Sequence, residues 1–325
     1  MLKNRLKGYA IRATEALRLR WYCRPQTYLY GVTIEIDNPT ARAVPCTVLI
    51  PIPQHTPYQQ PLQDPSASCA ISLSWEPALL FRYAVWHTEI PARQKSECIL
   101  TCPVRVLPQH ASVRAARFDD YQRLEQALIE RNTRSSEICD SRDERIVALS
   151  DELWQSAPRM DAYIRAVCDY CATHLSYGDP IRGLYTSRDA LLRAKVDCGG
   201  FSTLALALLH ARGIPARLVA GFFACARNEP MHVWIEILLP DGTTVPVDLS
   251  SDHLFRAGRD RTKSGRLGFV GSDHITVSRG CDLSFRIGDG TYHAPFFQYP
   301  LCISESAAYQ PEPSYHVTIA EYAAP

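Results

Sequence analysis

A cysteine, a histidine and an aspartate occur in an order and spacing that could support nucleophilic catalysis. Cys198 begins an apolar helical segment, His232 lies on an alternating segment, and Asp248 follows in the next extended segment. A thiol can attack a carbonyl carbon, an imidazole can take the thiol proton, and a carboxylate can orient the imidazole. These three residues are therefore predicted to form a catalytic triad.

The segment that begins at Cys198 predicts a largely buried helix, because its apolar residues recur at helical spacing. Asp197 is a suitable N-cap, and Gly213 is a suitable left-handed cap at the other end. Gly199 and Gly200 remove side chains from the first turn, which lets a substrate or another backbone approach. A thiol at the positive end of a helix is expected to be biased toward thiolate.

His232 and Asp248 are predicted to lie on one face of a β-hairpin. The strand MHVWIEILL alternates in character, and Pro-Asp-Gly separates it from TTVPVDLS. If the loop has three residues and Gly242 is left-handed, Leu239 pairs with Thr243 and His232 lies diagonal to Asp248. A two-residue loop would place the aspartate on the opposite face, so the pair requires an odd-length loop or a bulge.

The elements around this segment indicate an α+β protein. Residues 1–25 predict a basic amphipathic helix, for which docking on its own domain is favoured over binding to a membrane surface or a partner. Residues 26–116 predict a β-rich domain, because extended segments there alternate with many prolines and polar turns. Residues 117–325 predict a second domain, in which helical periods precede the cysteine and strands follow it.

Composition excludes several functional classes. The 35 basic and 34 acidic side chains give a net charge of +1, which lacks the positive field of a nucleic-acid-binding protein. No apolar run is long enough to span a membrane. No export signal is visible, so a cytoplasmic location is expected, and oligomeric state is left open.

The twelve cysteines are too dispersed for a disulfide scaffold, and most are expected to be reduced and buried. Cys168 and Cys171 form the only C-x-x-C motif, but it lies inside a helical pattern without the flanking context of a redox site. No second pair supplies the further ligands of a structural zinc site. We therefore predict neither a metal nor another cofactor.

The stretch DALLRAKVDCGGFSTLALALLHARGIPARLVAGF, followed by MHVWIEILLPDGTTVPVDLS, resembles the core of the transglutaminase-like superfamily of papain-type thiol enzymes. The likeness covers roughly residues 160–255. It implies a papain-like core in which a helix bearing Cys198 packs on an antiparallel sheet bearing His232 and Asp248. It also implies that these residues are the nucleophile, the base and the third member of the triad.

The resemblance places an aromatic segment near the cleft, which makes Tyr177 a candidate oxyanion donor beside the backbone N–H of Cys198. Packing of Tyr177 at a helix end is an equal alternative. Trp234 could line the cleft, although packing on the hairpin is favoured. Arg217 and Glu236 are expected to form a structural ion pair.

The resemblance implies acyl transfer from a peptide or amide substrate through a cysteine thioester. Hydrolysis, as in a peptidase or amidase, is the first hypothesis, because no site for an amine acceptor is discernible. Transamidation of protein glutamine is the second hypothesis. A non-enzymatic binding or scaffold protein on the same fold is the third, and the presence of all three residues argues against it.

Overall fold

The structure is a computed structural model that describes residues 21–76, 81–114, 117–224, 231–260, 264–304 and 309–323. The chain forms two compact units, each built from separated segments. Within the described residues, the first unit comprises 21–25, 107–219 and 232–273, and the second comprises 26–106, 220–231 and 274–323. Most of the helix predicted for residues 1–25 lies outside the described residues.

Twenty β-strands are described. They are β1 Gln26–Asn38, β2 Val44–Pro51, β3 Gln59–Pro61, β4 Ser66–Ala67, β5 Ser72–Glu76, β6 Phe81–Ile90, β7 Gln94–Val106, β8 Gln109–His110, β9 Ser176–Tyr177, β10 Lys195–Val196, β11 Ala216–Phe223, β12 Met231–Leu238, β13 Thr244–Val247, β14 Gly265–Arg266, β15 Phe269–Val270, β16 His274–Arg279, β17 Leu283–Ile287, β18 Gly290–Ala294, β19 Leu301–Ser304 and β20 Ser314–Glu321.

The α-helices of the described chain all belong to the first unit. They are α1 Gln126–Thr133, α2 Glu144–Ser156, α3 Met160–His174, α4 Ser187–Arg193, α5 Cys198–Ala211 and α6 Leu249–Arg256, and a 3-10 helix spans Phe118–Arg123. None of these helices has the length and apolar composition that crossing a bilayer requires.

The second unit is a β-sandwich. One sheet has the order β20-β1-β7-β3 with β4 also paired to β7, and the other has the order β19-β2-β6-β5. Alternate residues of β1 and β7 face alternate residues of β2 and β6 in one buried core, as period-two side-chain geometry requires. The hairpin of β17 and β18 packs through Phe285 on aromatic residues of β6.

Helix α5 is the centre of the first unit. Its residues from Gly199 to Leu209 are all buried, and each other described α-helix contacts it. A helix that is apolar around its whole circumference is stable only when other elements cover it on every side. The predicted apolar stripe is confirmed, but the burial extends around the entire helix.

The predicted hairpin register is confirmed. Ile237 pairs with Val245, Leu238 pairs with Thr244, and the Leu239 N–H donates to the Thr243 carbonyl. Gly242 has a φ of +82°, so it supplies the left-handed residue of the three-residue loop.

The second strand of the hairpin is shorter than predicted. It ends at Val247, and Asp248 is the N-cap of α6 rather than a strand residue. The reason is that Asp248 turns its carboxylate back onto the first turn of the helix, which ends the β-ladder.

The two units also differ in extent from the predicted domains 26–116 and 117–325. The β-rich region is present, but β19 pairs with β2 and β20 pairs with β1, so the C-terminal strands complete the sandwich. Residues 274–304 and 309–323 therefore group with the second unit and not with the helices. Patterns within a short stretch of sequence do not reveal that two strands pair when most of the chain lies between them.

Candidate active site

His232 and Asp248 form a buried pair. The Nε2 atom of His232 lies 2.7 Å from Oδ2 of Asp248, and the two residues are 4% and 0% exposed. An ionised carboxylate only accepts hydrogen bonds, so Nε2 carries the proton in this contact. In the neutral ring the basic nitrogen is then Nδ1, which is the tautomer that a general base needs.

Two serines hold the Asp248 carboxylate in place. Oδ1 accepts hydrogen bonds from the Ser250 hydroxyl and from the Ser251 backbone N–H, each at 3.0 Å, and Oδ2 also accepts the Ser251 hydroxyl. These donors compensate for burial of the charge and fix the direction of the oxygen that contacts His232. Asp248 thus both caps α6 and orients the imidazole.

Cys198 lies at the first turn of α5, close to the strand that carries the histidine. The backbone amides of Val233 and Gly199 are close enough to its thiol to act on its pKa. Val233 directly follows His232 on β12, so the thiol lies beside the imidazole strand. The structure therefore brings the three predicted residues of the triad into one region of the first unit.

The environment of Cys198 does not favour the thiolate that its position at the start of a helix predicts. Burial raises the pKa of Cys198 to about 12, and the negative charges of Asp197 and Asp248 act in the same direction. The backbone amides of Val233 and Gly199 act in the opposite direction but do not compensate for this rise in pKa. The resting site therefore holds a neutral thiol at neutral pH.

Asp197 explains why the helix N-terminus does not create a thiolate. It is the N-cap of α5, as predicted, and its Oδ1 accepts the N–H groups of Gly199 and Gly200 at 2.9 and 3.4 Å. The cap carboxylate thus occupies donors of the first turn and adds its own negative charge beside the thiol.

The two glycines after Cys198 are required by packing within the unit. A Cβ at Gly200 would lie 2.5 Å from the Cβ of Val196, and one at Gly199 would lie 2.7 Å from a methyl carbon of Leu184. The predicted close approach is therefore made by side chains of this chain. It draws the first turn of α5 against β10.

Tyr177 lies beside the segment that leads to Cys198. It pairs with Val196 in the parallel contact of β9 with β10, and its ring is 6.4 Å from that of Phe201. Burial raises the pKa of the Tyr177 phenol, and the negative charges of Asp197 and Asp248 add to this effect. The phenol is consequently a protonated hydrogen-bond donor at neutral pH.

Trp234 packs in the core of the unit. It is fully buried in a cluster with Val219 and Val270, and its ring is stacked against His232 with centroids 6.1 Å apart. Of the two roles expected for Trp234, the sequence favoured packing on the hairpin over lining the cleft. The ring supports the imidazole from the same strand.

Arg217 and Glu236 form the expected ion pair, which joins β11 to β12. The Arg217 guanidinium lies 2.7 Å from a Glu236 carboxylate oxygen. The side chain of the glutamate is only 2% exposed, whereas that of the arginine is 27% exposed. The pair fixes the strand that carries His232.

Several residues that position the predicted site residues were not anticipated from the sequence. Besides Ser250 and Ser251, these include Arg259, whose guanidinium donates to the Tyr177 carbonyl at 2.9 Å, and His253, whose Nδ1 lies 2.9 Å from the Ala172 carbonyl. The signal for the serines was available, because the sequence Asp-Leu-Ser-Ser-Asp from Asp248 to Asp252 is typical of a helix start.

Comparison with known families confirms the resemblance. Residues 147–249 match the family model described as the transglutaminase-like superfamily. This segment contains α2 to α5, the hairpin and Asp248. The chain thus contains a transglutaminase-like core, with the fold of thiol enzymes.

One solved structure supports the fold, and a second has lower structural similarity. A structure from Cytophaga hutchinsonii, described as a "Putative Cysteine Protease", is 14% identical, covers 93% of this chain and 92% of its own, and has a TM-score of 0.60. The periplasmic domain of TgpA from Pseudomonas aeruginosa is 16% identical, covers 76% of this chain and 95% of its own, and has a TM-score of 0.38. No curated protein gives a significant match.

Proposed function

We propose that this protein is a cysteine-dependent acyl-transfer enzyme that hydrolyses amide bonds of a peptide or amide substrate. The observation that carries the proposal is the buried contact of Asp248 with His232, which lies on the strand whose next residue, Val233, acts on the Cys198 thiol. A neutral thiol next to an imidazole that a carboxylate orients supports general-base activation of the nucleophile.

In the first half of the reaction, Cys198 Sγ attacks the carbonyl carbon while its proton passes to Nδ1 of His232. The C–S bond forms and the carbonyl becomes an oxyanion, for which the Cys198 backbone N–H and the Tyr177 hydroxyl are the proposed donors. The C–N bond then breaks, and the imidazolium gives its proton to the departing amine. Asp248 stabilises the positive imidazole during this step.

In the second half, His232 Nδ1 takes a proton from water, whose oxygen attacks the thioester carbon. The C–S bond breaks, the thiol regains its proton and a carboxylic acid leaves. An amine in place of water would give transamidation by the same steps. The choice between the two reactions depends on which nucleophile reaches the thioester.

The proposal is tested with a panel of peptidyl aminocoumarin amides, by following release of the fluorescent amine. We expect wild type to cleave members of the panel and Cys198→Ala to be inactive. Cys23→Ala is the matched control, because Cys23 is exposed, and it should retain full activity. Cleavage by Cys198→Ala would refute the assignment of the nucleophile.

A parallel assay separates the two acyl acceptors. The enzyme is incubated with a glutamine-bearing peptide and a fluorescent primary amine, and the peptide product is analysed by mass spectrometry. Hydrolysis predicts conversion of the glutamine to glutamate, whereas Cys198-dependent incorporation of the amine would replace hydrolysis with transamidation. If wild type gives no turnover in either assay, the non-enzymatic reading replaces the proposal.

A further inference from the structure

Two cysteines of the β-sandwich lie opposite each other across a strand pair. The Sγ atoms of Cys69 and Cys98 are 2.8 Å apart. All eleven cysteines in the described residues are free thiols, so this contact joins two reduced side chains. Neither residue belongs to the candidate active site, and both lie in the second unit.

The register explains the contact. Ser66 pairs with Thr101 and Ala67 with Leu100, and the Ser68 N–H then donates to the Ile99 carbonyl at 2.9 Å. Continuing the antiparallel register by one residue places Cys69 directly opposite Cys98, at a position without ladder hydrogen bonds.

Such positions suit a disulfide. Opposed residues at non-hydrogen-bonded positions have Cα atoms about 4.5 Å apart, which falls within the range that a disulfide spans. We propose that Cys69 and Cys98 are a disulfide-forming pair that closes when the protein meets a thiol oxidant of the disulfide class, such as oxidised glutathione.

The two thiols differ in access, which sets the order of reaction. Cys69 is partly exposed, whereas Cys98 is fully buried in the sandwich core. Cys69 therefore attacks oxidised glutathione first, forming a mixed disulfide and releasing one reduced glutathione. Cys98 then attacks the Cys69 sulfur and releases the second glutathione. Two protein thiols are oxidised, one glutathione disulfide is reduced, and the two thiol protons leave with the released glutathione.

A second pair of cysteines provides a matched comparison. Cys302 interacts with Cys46 on the neighbouring strand. In the register, however, Cys46 pairs with Ser304 and Cys302 pairs with Val48, so the two cysteines are diagonal neighbours. Diagonal positions lie about 7–8 Å apart, beyond the separation that a disulfide bridges without backbone movement.

Closure would link the segment after β4 covalently to β7. A bond between Cys69 and Cys98 would enclose the segment that carries β5 and β6 and would join it to β7. Closing such a loop lowers the conformational entropy of the unfolded chain. The oxidised protein should therefore unfold several degrees higher than the reduced protein.

The test treats the folded full chain with oxidised glutathione, blocks remaining thiols and maps cysteines by mass spectrometry without reduction. We expect a peptide linking Cys69 to Cys98 and none linking Cys46 to Cys302. The variant Cys98→Ala should retain glutathione on Cys69, whereas Cys69→Ser should leave Cys98 unmodified. Thermal unfolding of both reduced variants verifies that they fold.

Three results would overturn the proposal. One is glutathione that persists on Cys69 of the wild type while Cys98 stays free. Another is no modification of either cysteine under conditions that oxidise exposed Cys23. The third is a Cys46–Cys302 bond that forms as fast as the proposed one. A thermal midpoint that rises equally in Cys69→Ser on oxidation would contradict the stabilising role.

Discussion

Gly265 lies directly against Asp248, so closely that a Cβ at Gly265 would be 2.5 Å from the Asp248 Cβ and 2.8 Å from Oδ2. The aspartate is fully buried and held by two serines, so it has little room to retreat. The absence of a side chain at this position is therefore part of what sets the carboxylate opposite His232.

The variant Gly265→Ala should destabilise the protein and displace the carboxylate. Overpacking of this kind costs about 1–3 kcal/mol, which corresponds to a fall of several degrees in the thermal midpoint. Calorimetry measures this fall, and amide cleavage should decrease as well. Gly290→Ala is the control, because its new Cβ would have its nearest neighbour at 3.5 Å. An unchanged midpoint and activity in Gly265→Ala would contradict the positioning role.

Asp248→Asn tests the charge of the carboxylate at nearly constant size. The amide can still accept the Nε2 proton, but it cannot stabilise the imidazolium that forms during acyl transfer. We expect kcat/KM for amide cleavage to fall at least about a hundredfold. Asp161→Asn, in the first turn of α3, is the control and should retain activity. A loss of less than about threefold would remove Asp248 from the proposed mechanism.

The pH dependence of Cys198 alkylation reports its protonation state. Because burial raises the pKa to about 12, the thiolate fraction should increase about tenfold for each pH unit between 7 and 10. Iodoacetamide rates at Cys198, read by peptide mass spectrometry, should rise without a plateau in this range. An unstructured peptide with one internal cysteine, whose pKa is near 8.5, provides the reference curve. A plateau below pH 9 would indicate a preformed thiolate and imidazolium instead.

Asp197→Asn tests the source of the raised pKa. Asparagine caps helices about as well as aspartate, so the variant removes the negative charge beside the thiol while α5 keeps its cap. The pKa of Cys198 should fall, and alkylation at pH 8 should become several times faster. Asp143→Asn, at the N-cap of α2, controls for loss of an N-cap charge elsewhere in the unit. Equal rates in the two variants would assign the raised pKa to burial and Asp248 instead of Asp197.

The sequence was sufficient to predict those parts of the site that depend on local order. The cap at Asp197, the helix that follows Cys198 and the hairpin register were all readable, because each depends on residues within one or two turns of the chain. The pairing of His232 with Asp248 followed from counting the loop residues. Each of these features is determined by residues that are close together in the sequence.

Other features depend on contacts between distant parts of the chain. The thiol state of Cys198 could not be read from its helix position, because burial and two carboxylates raise its pKa. The domain boundary was missed because β20 pairs with β1 across nearly the whole sequence. The start of α6 was readable at Asp248, but the alternation of TTVPVDLS favoured extending the strand.

The ion pair between Arg217 and Glu236 should be strongly asymmetric in its effect on stability. The side chain of the glutamate is 2% exposed and that of the arginine 27%, so removing the arginine takes a positive charge away from a buried carboxylate. Loss of one partner of a buried pair costs about 3–5 kcal/mol, and we expect Arg217→Ala to approach this range.

Glu236→Gln leaves instead an arginine that water can reach, so its cost should be clearly smaller. Arg159→Ala is the control, because that arginine is 66% exposed in its pair with Asp161 and should contribute less than about 1 kcal/mol. Urea unfolding at pH 7 compares the three variants with wild type. Equal losses of stability in Arg217→Ala and Glu236→Gln would mean that water reaches the Glu236 carboxylate when the pair is broken. Because Glu236 lies on the same strand as His232, this result would also mean that β12 is held less firmly than its contacts indicate.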